Sequence, residues 1–180
     1  MNNNAKQSQL AIFMIYGALL IGVPVAAAVE TTVVKSDVQA VAIVDPLDKY
    51  RGAKELTSTE LVDLLSAVGF EGKSLKLAWA IVMKESRGHS TSFNNNPATG
   101  DLSYGLFQIN MIGSLGETRR AKFGIKTNAE LLDPVTNAKA AYYMSDHGRD
   151  FGSWGLGPNA YDGSSSEPAV TKWLAEYPKA

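Results

Sequence analysis

One carboxyl group stands where it could do acid–base chemistry. Glu85 lies in residues 79–88, WAIVMKESRG. On a helix its neighbours at minus three, minus four and minus seven are Val82, Ile81 and Ala78, so it shares the apolar face. Partial desolvation disfavours a charged carboxylate and raises its pKa, which suits a general acid near neutral pH. An ordinary last-turn glutamate paired with Lys84 or Arg87 has the same spacing, so periodicity alone leaves both readings open.

Other reactive groups are few. Cysteine is absent, which excludes disulfides, thiolate metal sites and a cysteine nucleophile. The two histidines, His89 and His147, form no H-x-x-x-H pair, so surface or cap roles are expected and no metal site is. No G-x-S-x-G elbow occurs, and the glycine-rich 152–163 stretch lacks the Lys-Ser/Thr of a phosphate loop. No cofactor is expected. Seventeen Lys and Arg stand against 18 Asp and Glu, with no basic block, which argues against a nucleic-acid partner.

The elements that must position Glu85 are mostly helical. The 180 residues, 45% hydrophobic and 19% charged, suit one globular domain with an extension. Thr57-x-x-Glu60 is a capping box, and Leu61, Leu64, Leu65 and Val68 give a stripe closing at Gly69. A second helix is expected from Ser74 to about Ser86, before Gly88. Asn, Pro and Gly crowd 94–100, with Thr99-Gly100-Asp101 as a turn, so 92–110 reads as a small irregular β element. A short helix is expected around 116–123, a second capping box at Thr127-x-x-Glu130, and a helix opened by Asp133-Pro134 that runs through Met144 and ends near Gly148. Residues 151–167 read as loop, and Glu167-Pro168 opens a last helix. The fold class is mainly α, of α+β type, with a small β element beside Glu85.

Residues 10–29, LAIFMIYGALLIGVPVAAAV, carry no charge. The length would span a bilayer, but Pro24 and Ala26-Ala27-Ala28 fit a signal peptide cleaved after Ala28. Residues 1–28 are thus expected to be a signal peptide, or a membrane anchor if uncleaved, placing the rest in the periplasm, cell envelope or extracellular space. Residues 29–56 read as a linker or an arm packed on the domain, and 57–180 as the domain itself.

The sequence following Glu85 narrows the chemistry. Glu85-Ser86 at a helix end, a polar β stretch, and then Gly105-Leu106-Phe107-Gln108-Ile109-Asn110 resemble the lysozyme-like superfamily, closest to its soluble lytic transglycosylase and phage lysozyme-like group. The segment Asp133-Pro134-x-x-Asn137-x-x-x-Ala141 is similar to a helix of that group, and Ala160-Tyr161-Asp162-Gly163 to its Ala-Tyr-Asn motif, with Asp for Asn. The resemblance runs from about Thr57 to Gly163. It implies a lysozyme-like catalytic domain acting on peptidoglycan glycan strands, with Glu85 protonating the oxygen between N-acetylmuramic acid and N-acetylglucosamine.

In animal-type lysozymes, the residue two before the Gly of the Gly-x-x-Gln-Ile segment is a cation-stabilising Asp. Here it is Ser103. The resemblance therefore favours the transglycosylase route, in which the substrate acetamido group assists and the same Glu takes the muramyl 6-hydroxyl proton. The product is then a 1,6-anhydro ring. Asp101, on the same strand face as Ser103, is the candidate second acid of a hydrolysing muramidase, and equally a turn residue after Gly100. A catalytically weak wall-binding protein is the remaining alternative. Ser103, Tyr104, Gln108, Tyr161 and Trp154 are expected substrate contacts, whereas Asn110 is expected to cap backbone and Phe107 to pack in the core.

Overall fold

The computed structural model describes residues 45–157 and 167–179, so residues 10–29 and Tyr161 with its motif at 160–163 lie outside it. The described residues form five helices and a small antiparallel sheet: α1 (Ser58–Val68), α2 (Gly72–Glu85), β1 (Phe93–Asn96), β2 (Asp101–Tyr104), β3 (Ile109–Asn110), α3 (Gly113–Phe123), α4 (Pro134–Met144) and α5 (Pro168–Ala175). This is the mainly helical α+β architecture expected from the sequence, with a small β element following Glu85. Among the described residues, no helix is long and apolar enough to cross a membrane.

Local chemistry sets most element ends. The Thr57 and Glu60 side chains each accept the other's backbone N–H, at 3.3 and 2.9 Å, and start α1. Asp133 Oδ1 accepts the Thr136 N–H at 2.9 Å and Pro134 takes the first position of α4. Two starts differ from expectation. α2 starts at Gly72 because Ser74 closes a box around Glu71, accepting the Glu71 N–H at 3.1 Å. α3 starts at Gly113 without a capping side chain. α4 stops at Met144, and the chain then turns left-handed through Asp146, His147 and Gly148. Ser145 Oγ accepts the Gly148 N–H at 3.0 Å within that turn.

The core is continuous from α1 to α5. Phe70 lies 6.3 Å from Phe107 and 6.2 Å from Phe151, and Phe107 lies 5.5 Å from Trp154. These rings form an apolar floor under the turn from Gly105 to Gln108, and a buried aromatic of this kind is worth about 3–5 kcal/mol against alanine. Trp79 of α2 meets Trp173 and Tyr177 edge-on, which seats α5 on α2. Residues 45–56 also join the core through Leu47, Tyr50 and Leu56. They strap the loop after α2: the Leu56 N–H donates to Gly88 O at 3.0 Å and the Ser90 N–H to Lys54 O at 2.9 Å.

A buried side chain of α4 locks the sheet to the helices. Asn137 is fully buried, and its Nδ2 donates to Tyr104 O at 2.9 Å and Leu131 O at 2.8 Å. Its Oδ1 accepts the Phe107 N–H at 2.9 Å. The approach requires glycine at 105: φ is 75°, and a Cβ there would lie 2.2 Å from Leu131 O and 2.3 Å from Asn137 Nδ2.

Replacing Asn137 by alanine strands one buried N–H and two carbonyls, at about 1–3 kcal/mol per unsatisfied group. Asn137→Ala is expected to lose about 3 kcal/mol or more in urea unfolding at unchanged m-value; a loss under about 1 kcal/mol would show that the Asn137 bonds do not hold the sheet.

Candidate active site

Glu85 is the last residue of α2, one turn beyond Ile81 and Val82 and two beyond Ala78, whose side chains are fully buried. Its own side chain is 22% exposed, so the apolar face delivers the carboxyl to the surface without sealing it. Its Oε1 lies 3.1 Å from Lys84 Nζ, and the same ammonium lies 3.0 Å from Glu167 Oε2 at the start of α5. The pairing with Lys84 that an ordinary terminal glutamate would make is therefore present. Arg87, the other candidate partner, is exposed beyond the helix end with φ 54°. Burial pulls the Lys84 ammonium down, but its donation to Glu167 and Glu85 and the attraction of their charges together outweigh burial and hold it above its usual value.

The loop after Glu85 is tied to the Gly105–Gln108 turn through one carbonyl. Ser92 O accepts the Gly105 N–H at 2.8 Å and Gln108 Nε2 at 3.1 Å. Gln108 Nε2 also donates to Gly105 O at 2.9 Å, and its backbone is left-handed with φ 46°. Gln108 thus holds the turn closed with its amide nitrogen, a structural duty beside the expected substrate contact. Asn110 caps backbone: its Oδ1 accepts the Leu102 and Ile112 N–H groups, and its Nδ2 donates to Gly100 O.

The sheet register sorts the remaining candidates. Asn94 pairs with Ser103, Asn96 with Asp101, and Ser103 with Asn110, which sets Asn94, Asn96, Asp101, Ser103 and Asn110 on one face. Ser103 is 5% exposed and donates its hydroxyl to Asp101 Oδ1, while Asn94 Nδ2 donates to Asp101 Oδ2. Both oxygens of Asp101 are therefore engaged on the face it shares with Ser103. The opposite face carries Tyr104, tilted against Phe93 at 4.9 Å, and Phe93 is 53% exposed.

Trp154 requires correction. Expected at a sugar-binding groove, it is only 8% exposed, donates its indole N–H to Phe107 O at 2.9 Å, and packs among Phe107 and Phe151. It supports the turn from behind. The expected role of Tyr161 falls outside the described residues. Asn94 on Asp101, Phe93 on Tyr104 and Glu167 on Lys84 are contacts that the sequence does not single out. Asn94 was findable by alternation opposite Ser103 once the turn at Thr99-Gly100 is fixed; Glu167 had only its helix-opening Pro168 as a signal. A hollow of about 380 Å³ lined by Phe123, Val135, Lys139 and Tyr143 includes none of Glu85, Asp101, Ser103 or Gln108. Among the described residues, no cluster of three His, Asp or Glu side chains could hold a metal ion.

Residues 62–156 match the family described as a lysozyme like domain, a span reaching from α1 to the residue two beyond Trp154. No solved structure matches the chain.

The Lys84 bridge gives stability a defined pH dependence. The Lys84 hydrogen bond holds the Glu167 carboxyl below the ordinary glutamate value of 4.5, against the opposing effect of burial. Near and below that value the unfolded chain binds more protons than the folded one. The contribution is then fully present above the unfolded pKa and is lost as pH falls through the lower folded pKa. The stability gap between wild type and Glu167→Gln should therefore be constant down to about pH 5 and shrink in more acid solution. Urea titrations at several pH values measure it; a gap that does not shrink would rule out the bridge.

Proposed function

The chain belongs to the lysozyme-like domain family, a membership that supports a glycosidase acting on peptidoglycan, and on that premise we propose that it is an exported lytic transglycosylase with Glu85 as its single acid and base. The observation that carries this reading is Glu85 at the end of a buried helix face, 22% exposed, ahead of a loop that Ser92 ties to the Gly105–Gln108 turn. Ser103, at the position of the missing second carboxylate, supports a one-carboxylate route.

The chemistry runs in two steps. Glu85 gives its proton to the oxygen joining muramyl C1 to the next N-acetylglucosamine, and the C1–O bond breaks as positive charge develops at C1. The muramyl acetamido oxygen closes on C1 and the freed sugar leaves with its hydroxyl. Glu85, now a carboxylate, takes the proton of the muramyl 6-hydroxyl, O6 attacks C1, and the acetamide is released. The product ends in a 1,6-anhydro ring, water is not consumed, and Glu85 regains its proton.

On this reading Tyr104 and the exposed Phe93 offer flat apolar surface to a sugar ring, whereas Ser103, expected as a substrate contact, is buried and bonded to Asp101 and supports the sheet instead. Peptidoglycan lies outside the cytoplasmic membrane, and residues 10–29 supply the export segment, cleaved after Ala28 or retained as an anchor.

One observation favours a second reading, a hydrolysing muramidase. Asp101 shares the face and a hydrogen bond with Ser103, so a carboxylate stands two residues from the expected place. An inverting hydrolase would use it to activate water, with the two carboxyls about 6.5–9.5 Å apart.

Glu85→Gln keeps the side chain's size and removes its proton, so turnover of purified sacculi should fall by about 10²–10⁴-fold with an unchanged melting curve. Asp101→Asn should reduce turnover only a few-fold. Near wild-type turnover by Glu85→Gln would contradict the assignment of the acid, and an Asp101→Asn enzyme as dead as Glu85→Gln would replace the transglycosylase with the hydrolase.

A further inference from the structure

Consecutive side chains on a helix point about 100° apart and do not face each other. Lys84 and Glu85 nevertheless meet, at 3.1 Å between Nζ and Oε1, where α2 ends. The ammonium is held from its other side by Glu167, whose Oε2 lies 3.0 Å away. Glu167 is itself fixed: its Oε1 accepts the Ala169 N–H at 3.2 Å as the cap of α5, and α5 is seated on α2 by Trp173 and Tyr177 against Trp79. A chain of defined contacts thus runs from the buried α2–α5 interface to one oxygen of the candidate acid.

Resting on the reading of Glu85 as general acid, we propose that Lys84 is a positioning residue that selects which oxygen of Glu85 carries the proton. An ammonium only donates hydrogen bonds. It therefore pairs with Oε1 whether Glu85 is ionised or protonated, and in the protonated acid Oε1 is the carbonyl oxygen. The proton is left to Oε2. When Oε2 delivers it to the glycosidic oxygen, the Lys84 bond to Oε1 persists, and the same Oε2 is the one that takes the 6-hydroxyl proton. The carboxyl need not rotate between the two steps. Glu167 completes the arrangement: it balances the Lys84 charge, so the protonated acid sits beside a neutral pair and not beside a lone cation.

The test uses the full chain with soluble peptidoglycan glycan strands, reading kcat and KM separately alongside thermal melting. Lys84→Met should lower kcat on the order of 10–100-fold with KM changed less than about twofold, as expected for a misplaced catalytic group. Lys84→Arg should recover most of the loss, because a guanidinium can bridge two carboxylates. Glu167→Gln should lie between wild type and Lys84→Met. Wild-type kcat in Lys84→Met, or in Glu167→Gln if Lys84→Met does not fold, overturns the proposal; so does a Lys84→Arg enzyme no better than Lys84→Met. Glu85→Gln in parallel separates the failures. If it turns over, the reading of Glu85 fails. If it is dead while Lys84→Met and Glu167→Gln are fully active, only the role of Lys84 fails.

Discussion

The site depends on the contact between Asn137 and the backbone around Gly105. A buried amide that satisfies one N–H and two carbonyls is directional, so α4, Leu131, Tyr104 and Phe107 can meet in one arrangement only. Gly105 makes that arrangement possible, since a side chain there would occupy the space of the amide. Apolar packing alone would press the sheet against the helices without choosing its register. Once Asn137 sets the turn, Trp154 closes it from behind through Phe107 O, and Gln108 closes it from the front through Ser92 O.

The consequence for chemistry lies in Ser92. Its carbonyl joins the Gly105–Gln108 turn to the loop that follows Glu85, and the 45–56 segment straps that loop at Gly88 and Ser90. The loop after Glu85 and the sheet turn are therefore joined by hydrogen bonds at Ser92, whereas the Glu85 carboxyl itself is paired with Lys84, which Glu167 at the cap of α5 holds from its other side. Rigid placement of this kind is what a positioned proton donor requires.

Much of this was legible in sequence because it is local. The Thr57/Glu60 box, Asp133-Pro134 and Glu167-Pro168 each carry their helix start within four residues, and Glu85 on the Ala78–Ile81–Val82 face follows from helical period alone. α2 was misplaced by two residues because a glutamate is not a favoured N-cap and Ser74 is. An aromatic near a glycine-rich loop, such as Trp154, fits a groove or a core equally well in sequence, and what decides is its hydrogen bond to Phe107 O far along the chain. The contact of Asn94 with Asp101 follows only once the turn at Thr99-Gly100 fixes the strand register, and the Lys84–Glu167 bridge needs the docking of α5, which leaves no local trace.

The most direct test of the account is the fate of water in the reaction. Sacculi digested in water carrying the heavy oxygen isotope, with products read by mass spectrometry, separate the two chemistries at once. A single-carboxylate enzyme built on Glu85 should release anhydromuramic ends that contain no heavy oxygen, because O6 of the same sugar closes the ring. Reducing muramyl ends that each carry one heavy oxygen would contradict it and transfer the second step to a water activated elsewhere on the sheet face.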